Sequence, residues 1–445
     1  MKPANHHFAA ERRETAAKPN QPTLQFSIAT CWDDALLDGL VALQREHPRA
    51  RFVEVYGAHR TNITGHGRPA YRLPEVSAEV FERHVRRARE LGLRFNYIMN
   101  APDFGGRETS VEWLGEVSRW LKYLAQCGVS GVTISHPDLL RFVKREFPDF
   151  RLNVSVITGV DTVAEARRFE DIGADVINLN PFTINRDFDS LRAIRQAMDC
   201  ELELYANIPC LDRCPRRDAH YRYSGRASQA AGGQGEGINS DGRGDFPSPA
   251  GAGEGGAIAP GEGCRESTNS YGQGEVRVRR EGLAPGVAVT EDPFLMHCSH
   301  TFLSNPVEFL RSPFIRPEDV PAYRQIGMDF IKLSDRTEGT AFLLQTAKAY
   351  AAGHYDGNLF DLIFRSGRKI RAGLGWVQPG APAQPIPVII RNSVLTELKF
   401  IEQIKTLRGA KRAEFYTKAA ARAVSLTNPQ AVEEWLSVLQ ARIAA

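Results

Sequence analysis

Two rhythms of hydrophobic positions alternate along this chain, and their order predicts the fold. Residues 24–30, Leu-Gln-Phe-Ser-Ile-Ala-Thr, alternate apolar and polar side chains and read as a strand. Residues 33–47 follow at helical spacing, with Ala35, Leu36, Leu40 and Leu43 on one face. The pair then repeats. Strands are predicted at 51–56, 93–99, 131–135, 151–157, 174–180, 201–206 and 328–334. Helices are predicted at 77–91, 110–126, 138–146, 162–172, 189–197, 317–325 and 340–352. Gly92, Gly128, Gly173 and Gly327 punctuate the turns. Eight strand–helix units call for an α/β fold of the (β/α)8 TIM-like barrel type. No Gly-x-Gly-x-x-Gly follows the first strand, which disfavours a dinucleotide-binding open sheet.

Three segments fall outside the repeat. Residues 1–22 are polar and aperiodic and are expected to be a disordered tail. The barrel domain, 23–360, is interrupted at 225–290 by a Gly-rich, low-complexity insertion, which makes its Cys264 an expected solvent-exposed thiol. Residues 361–445 form an expected C-terminal helical extension. It has a Pro-rich stretch at 377–387, an apolar helix at 393–407, and a last helix capped by Asn428 with Pro429 at its first position.

Composition narrows the class only slightly. Hydrophobic residues at 42% and charged residues at 24% are ordinary for a globular chain, and a net charge of +3 gives no nucleic-acid signature by itself. Seven cysteines, odd in number and irregularly spaced, argue against a secreted disulfide framework. No apolar run approaches the roughly 20 residues of a membrane span. The expectation is a cytoplasmic protein without membrane insertion.

A barrel gathers the carboxyl ends of its strands at one mouth. Those ends carry Thr30 and Cys31, Tyr56 and His59, Asn96 and Asn100, Ser135 and His136, Thr158, Asn178 and Asn180, Asn207 and Cys210, and Lys332, Asp335 and Arg336. Asn is a common strand terminator because its amide satisfies turn backbone. Four strands ending in Asn beside a cysteine pair point instead to a binding cavity. Cys210 and Cys214, with Asp212, Arg213 and Arg216 as neighbours, lie in a polar loop after strand seven, and Cys298 returns after the insertion between His297 and His300. Thiols so placed are soft metal ligands. Cys31 or His220 is the candidate fourth ligand, and zinc is an alternative metal. Cys127 and Cys200 read as small buried hydrophobes. Cys298 between two histidines also admits a thiol hydrolase, whereas His-Glu-x-x-His is absent.

Around these residues the chain resembles the U32 family, the collagenase-like peptidases. The likeness rests on Asn207-x-x-Cys210-x3-Cys214-Pro-x-Arg217-x-x-His220, on Asp292-Pro-Phe-x-x-x-Cys298, and on the run from Ser312 to Arg336. The resemblance implies a barrel whose cysteines Cys210, Cys214 and Cys298 hold a [4Fe–4S] cluster. It also implies oxygen-independent hydroxylation or a related modification of an RNA, a quinone precursor or a peptide. No clean fourth cysteine follows Cys298, and the usual Glu-x-Phe-x-His-Gly-x-x-Cys signature is missing, although Glu203 and Asn207 stand near its acid and His. Lys332, Asp335, Arg336, Asn207 and His220 are the catalytic candidates, with Lys332, Arg336 and the Asn rim expected to hold an anionic or amide-bearing substrate. Two rival readings are a thiol- or zinc-dependent peptidase and a non-catalytic, cluster-bearing subunit that docks a homologous U32 partner.

Overall fold

The computed structural model describes residues 24–229, 293–364 and 388–444. The expected tail, the insertion from residue 230 onward with Cys264, and the Pro-rich stretch lie outside the described residues.

Eight parallel strands close into a barrel in sequence order, β1 pairing with both β2 and β8. They are β1 (Leu24–Ala29), β2 (Ala50–Gly57), β3 (Arg94–Met99), β4 (Gly131–Ile134), β5 (Arg151–Val154), β6 (Val176–Asn178), β7 (Glu201–Tyr205) and β8 (Phe330–Leu333). Each parallel crossover runs through a helix: α1 (Asp34–Glu46), α2 (Ala78–Glu90), α3 (Val111–Cys127), α4 (Pro137–Glu146), α5 (Val163–Ile172), then α6 (Pro181–Ile184) with α7 (Phe188–Ala197). Between β7 and β8 come α8 (Arg217–Arg226), α9 (Pro293–Ser304), α10 (Val307–Arg311) and α11 (Val320–Ile326). Helix α12 (Thr340–Ala352) follows β8 and packs on α1. The caps are local chemistry: Thr162 and Glu165 form a reciprocal capping box at the start of α5, and Gly173 ends it at φ 97°, a conformation that costs a Cβ-bearing residue dearly.

The strands' outward side chains and the inner faces of the helices make the main core, from Phe26, Phe52 and Ile28 round to Leu202 and Leu333. Beyond the barrel, α13 (Leu359–Ile363) leads to a segment built from β9 (Val388–Ile390) paired antiparallel with β10 (Val424–Leu426). That segment also holds α14 (Asn392–Glu397), α15 (Phe400–Thr406), α16 (Gly409–Ala423) and α17 (Pro429–Ala444). The single helix expected over 393–407 is two, because Lys399 takes φ 50° and breaks the ladder between them. Asn428 caps the last helix as expected, its Oδ1 accepting from Ala431 N at 3.1 Å.

Two buried arginines fasten this segment to the barrel. Arg186 donates to Leu310 O, to Phe314 O at 3.3 Å and to Tyr416 Oη at 3.0 Å. Arg316 forks onto Asp319 at 2.9 and 2.7 Å and reaches Asn392 Oδ1 at 3.1 Å. Among the described residues no helix is long and apolar enough to cross a membrane.

Candidate active site at the barrel mouth

Alternation along a strand sends every second side chain to the barrel axis. Here the axis is polar. On β1, β2, β3, β4, β5, β7 and β8 the inward residues include Ser27, Glu54, Asn96, Thr133, Asn153, Glu203 and Lys332, all buried. Burial of so many polar groups is tolerable only if they bond one another, and most do. Glu54 Oε1 accepts from Asn96 Nδ2 at 3.1 Å and from Asn153 Nδ2 at 3.5 Å, and Thr133 Oγ1 donates to Asn96 Oδ1 at 2.9 Å. Glu203 accepts from Ser27 on one oxygen and from Lys332 Nζ at 3.1 Å on the other. The Lys332 ammonium also sits 4.1 Å from the centroid of the Tyr56 ring, a cation–π contact. Burial, and then the nearby Glu203 carboxylate, raise the Glu54 carboxyl above its ordinary range.

Nearer the mouth the chemistry changes to arginine and tyrosine. The long loop after β2 folds back over the strand ends and brings Arg68, whose Nε and Nη2 reach Asp335 Oδ1 and Oδ2 at 3.3 and 3.2 Å. Burial alone would depress the Arg68 guanidinium, but the Asp335 carboxylate outweighs it and holds Arg68 above its ordinary value. Arg336 has no such partner. It is only 8% exposed, its Nη1 has no hydrogen-bond partner among the described residues, and burial followed by repulsion from Arg68 pushes it down to about 10. Tyr56 donates to Leu333 O at 2.9 Å and is raised well above its usual value by burial and by Tyr205 beside it, so it keeps its proton. His66 Nε2 lies 2.9 Å from His59 O, which can only accept. The tautomer is thereby fixed, leaving Nδ1 as a buried acceptor without a partner among the described residues. Burial, then Arg336, hold His66 well below its ordinary value, so it accepts a hydrogen bond without taking a proton. Asp335, already shared with Arg68, faces two guanidiniums.

The strand-end candidates sort themselves by direction. Cys31, Tyr56, Asn96, Asn178, Lys332 and Arg336 belong to the axis or mouth. Thr30 and His59 do not. Thr30 follows inward-facing Ala29 and points at the helices, where its Oγ1 meets His84 Nε2 at 2.6 Å and His84 Nδ1 meets Asp34 Oδ1 at 2.7 Å. This Thr–His–Asp chain has triad order, but Thr30 is 1% exposed behind Trp32 and cannot receive substrate. His59 packs on Phe81, Tyr97 and Trp120, and burial drives it down to about 3. Asn207 ties β7 to β8, with Ser334 N donating to its Oδ1 at 2.7 Å. Asn100 is taken by Gly67 N and Ser155 Oγ, and Asn180 caps α6 through Phe182 N. Lys332 pairs with Glu203, and Asp335 with Arg68.

Each thiol sits in a different setting. Cys127 and Cys200 pack against the core, and burial raises both, to about 11 and about 12. Cys31 Sγ lies 3.3 Å from Thr340 Oγ1. Cys298 donates to Phe294 O, 2.9 Å away in its own helix, while Cys214 is half-buried against the core. His220 stacks on Phe294 at 4.8 Å and 9°, so α8 and α9, which carry or adjoin Cys214 and Cys298, lie side by side. Yet among the described residues no three His, Cys, Asp or Glu side chains are gathered as metal ligands would be. Residues that sequence reasoning missed are Arg68, His66, Tyr205 and Asn153. Arg68 and His66 sit in a loop whose return to the mouth has no periodic signal. Tyr205 and Asn153 were recoverable from strand alternation.

Residues 66–207, from His66 beside the mouth to Asn207 after β7, match the profile of peptidase family U32. An uncharacterized protease of Methanocaldococcus jannaschii is 23% identical over 301 residues, which is 68% of this chain and 72% of that protein. The solved U32 peptidase Mk0906 overlaps 48% of this chain and 80% of its own at 24% identity and TM-score 0.38. A maltogenic α-amylase of Thermotoga neapolitana overlaps 41% and 58% at 12% identity and TM-score 0.28. Overlaps this loose add nothing to a barrel that strand pairing already closes. By the profile over residues 66–207 and the archaeal relative, the chain is similar to peptidase family U32.

Proposed function

We propose that this chain is an enzyme that takes an anionic substrate, a carboxylate or a phosphate, into the barrel mouth. The observation that carries the reading is Arg336: a buried guanidinium with an open Nη1, set beside a second guanidinium and a single shared carboxylate. Burying an uncompensated charge is costly, so such a group persists where a ligand completes it. Arg68 and Arg336 would bind and orient the anion as a clamp. His66 would offer an acceptor held neutral. The test is titration with phosphate and with succinate, followed by calorimetry. Either anion should bind the wild type and be lost in Arg336→Ala; equal binding by both proteins sinks the reading.

The archaeal relative's name carries a protease reading. For a thiol protease the worker would be Cys298, but its proton is engaged inside α9, which weakens that choice. Iron–sulfur modification of an RNA, a quinone precursor or a peptide is the second reading. The contact of α8 with α9 favours it, because it sets the thiol-bearing segments side by side. Iron and acid-labile sulfide in protein purified without oxygen would support it. A colourless, iron-free protein would end it, and zinc in stoichiometric amount would put the alternative metal in its place. A subunit role with a homologous U32 partner predicts instead that the chain alone binds the anion without turning it over.

A further inference from the structure

One strand-end amide in the barrel is unbonded at both ends among the described residues, whereas Asn153, further down β5, is unbonded only at Oδ1. Asn178 ends β6, is 2% exposed, and neither its Oδ1 nor its Nδ2 has a hydrogen-bond partner among the described residues. Every other strand-end Asn is occupied. Asn100 and Asn207 brace loops, Asn180 caps a helix, and Asn96 is bonded at both ends. Strand termination therefore explains those residues and not Asn178. Its direction follows from register: Asn178 is paired with Glu203, whose carboxylate bonds Ser27 and Lys332 from the inner face of the barrel. Neighbours in parallel register share a face, so Asn178 points to the axis at the level of this polar ladder. Toward the mouth, the inward positions on β1, after β4 and after β5 are the small residues Ala29, Ser135 and Ser155. Both of those hydroxyls are engaged, Ser135 with Ala101 O and Ser155 with Asn100. Three of the positions above Asn178 are thus small, with both hydroxyls engaged, while neither end of the amide is bonded among the described residues.

We propose that Asn178 reads a carboxamide on the substrate whose anionic group lies at Arg336. A side-chain amide offers one N–H and one carbonyl on the same edge, and its complement is a second amide with the same cis edge. Asn178 Nδ2 donates to the ligand carbonyl, and Asn178 Oδ1 accepts the ligand N–H. A primary carboxamide meets this demand. A trans peptide bond, with its N–H and C=O on opposite sides, does not, and an ester or ketone lacks the donor. The ligand class is a small acid carrying a primary carboxamide. This inference rests on the anion reading above, and its test separates the two.

The experiment compares ω-amic acids (malonamate, succinamate and glutaramate) with the methyl ketone acids of equal length, by calorimetry on the full chain. At the best-fitting length the wild type should prefer the amide about tenfold or more, since the ketone leaves Oδ1 unpaired. Asn178→Leu, close in shape, should erase the preference while still binding the ketone acid, and its Tm should hold or rise. Arg336→Met should weaken both members of each pair together and keep their ratio. A ratio near one at every length in the wild type overturns the Asn178 assignment while leaving the anion reading standing. So does a ratio that survives Asn178→Leu, or a clear fall in that variant's Tm. If no acid binds, propionamide replaces the pairs: binding lost in Asn178→Leu upholds the assignment without the anion, and no difference between the two proteins overturns it.

Discussion

Replacing Arg336 by Met should make the protein more stable and leave it unable to bind its ligand. The guanidinium falls from its ordinary value to about 10, chiefly through burial and next through Arg68. A shift of that size corresponds to a charging penalty of about 3 kcal/mol in the folded state. The sign is unambiguous. The folded protein holds this proton less tightly than the unfolded chain, so the penalty is complete at neutral pH and fades only as pH rises above about 10. Met keeps most of the apolar stem and removes the charge, while Asp335 keeps its fork from Arg68. Allowing for imperfect repacking, a net gain of about 1–2 kcal/mol is expected, a rise in Tm of about 1–2 °C for a chain of this size. Wild-type Tm should climb in phosphate or succinate, reaching about 2.7 kcal/mol of added stability at a hundredfold excess over Kd, and the variant should not respond. Thermal denaturation of both proteins with and without anion is the assay. A variant that loses more than about 2 kcal/mol, or that responds to anion as the wild type does, would show that the protein itself compensates Arg336, and the reasoning fails.

Other outcomes follow from the same contacts. Glu203→Gln leaves the buried Lys332 ammonium without its carboxylate and should cost about 3–5 kcal/mol in urea unfolding; the double change Glu203→Leu with Lys332→Met should recover most of it. Glu54, raised by burial and by Glu203, binds its proton more tightly folded than unfolded. Stability should therefore decline as pH rises above 4.5, and Glu54→Gln should flatten that slope. Arg186→Ala removes bonds to Leu310, Phe314 and Tyr416 and should cost about 2–4 kcal/mol. Limited proteolysis should then cut first between β9 and α17; an unchanged digestion pattern would mean that the C-terminal segment is held elsewhere.

The barrel was legible because its signal is periodic. Each strand of it was located within about two residues at its start, and α12 at both ends, by spacing and glycine alone. Where periodicity failed, so did the reading. Helices α8 and α9 flank residues 230–292 and carry no clear apolar face, and Lys399 breaks a helix that its neighbours' hydrophobicity would continue. The mouth was half legible. Lys332, Asp335 and Arg336 were placed by counting strands, but their partners come from β7 and from the loop after β2, and no spacing in the sequence joins Glu203 to Lys332 or Arg68 to Asp335. Thr30 and His59 were misplaced for a simpler reason: a shift of one position along a strand turns a side chain from the axis to the helices.

The position of β8 in the chain has a consequence for synthesis. β7 ends at Tyr205 and β8 begins at Phe330, so a ribosome spends about 10 s making the residues between them. Throughout that interval the nascent protein is an open sheet with two raw edges, at β1 and β7, and with Glu203 lacking its lysine. The last strand to emerge seals both edges and delivers Lys332 and Arg336 in the same act. Chains caught before that moment are the ones exposed to aggregation, and ligand binding in a cell extract counts only those that have passed it.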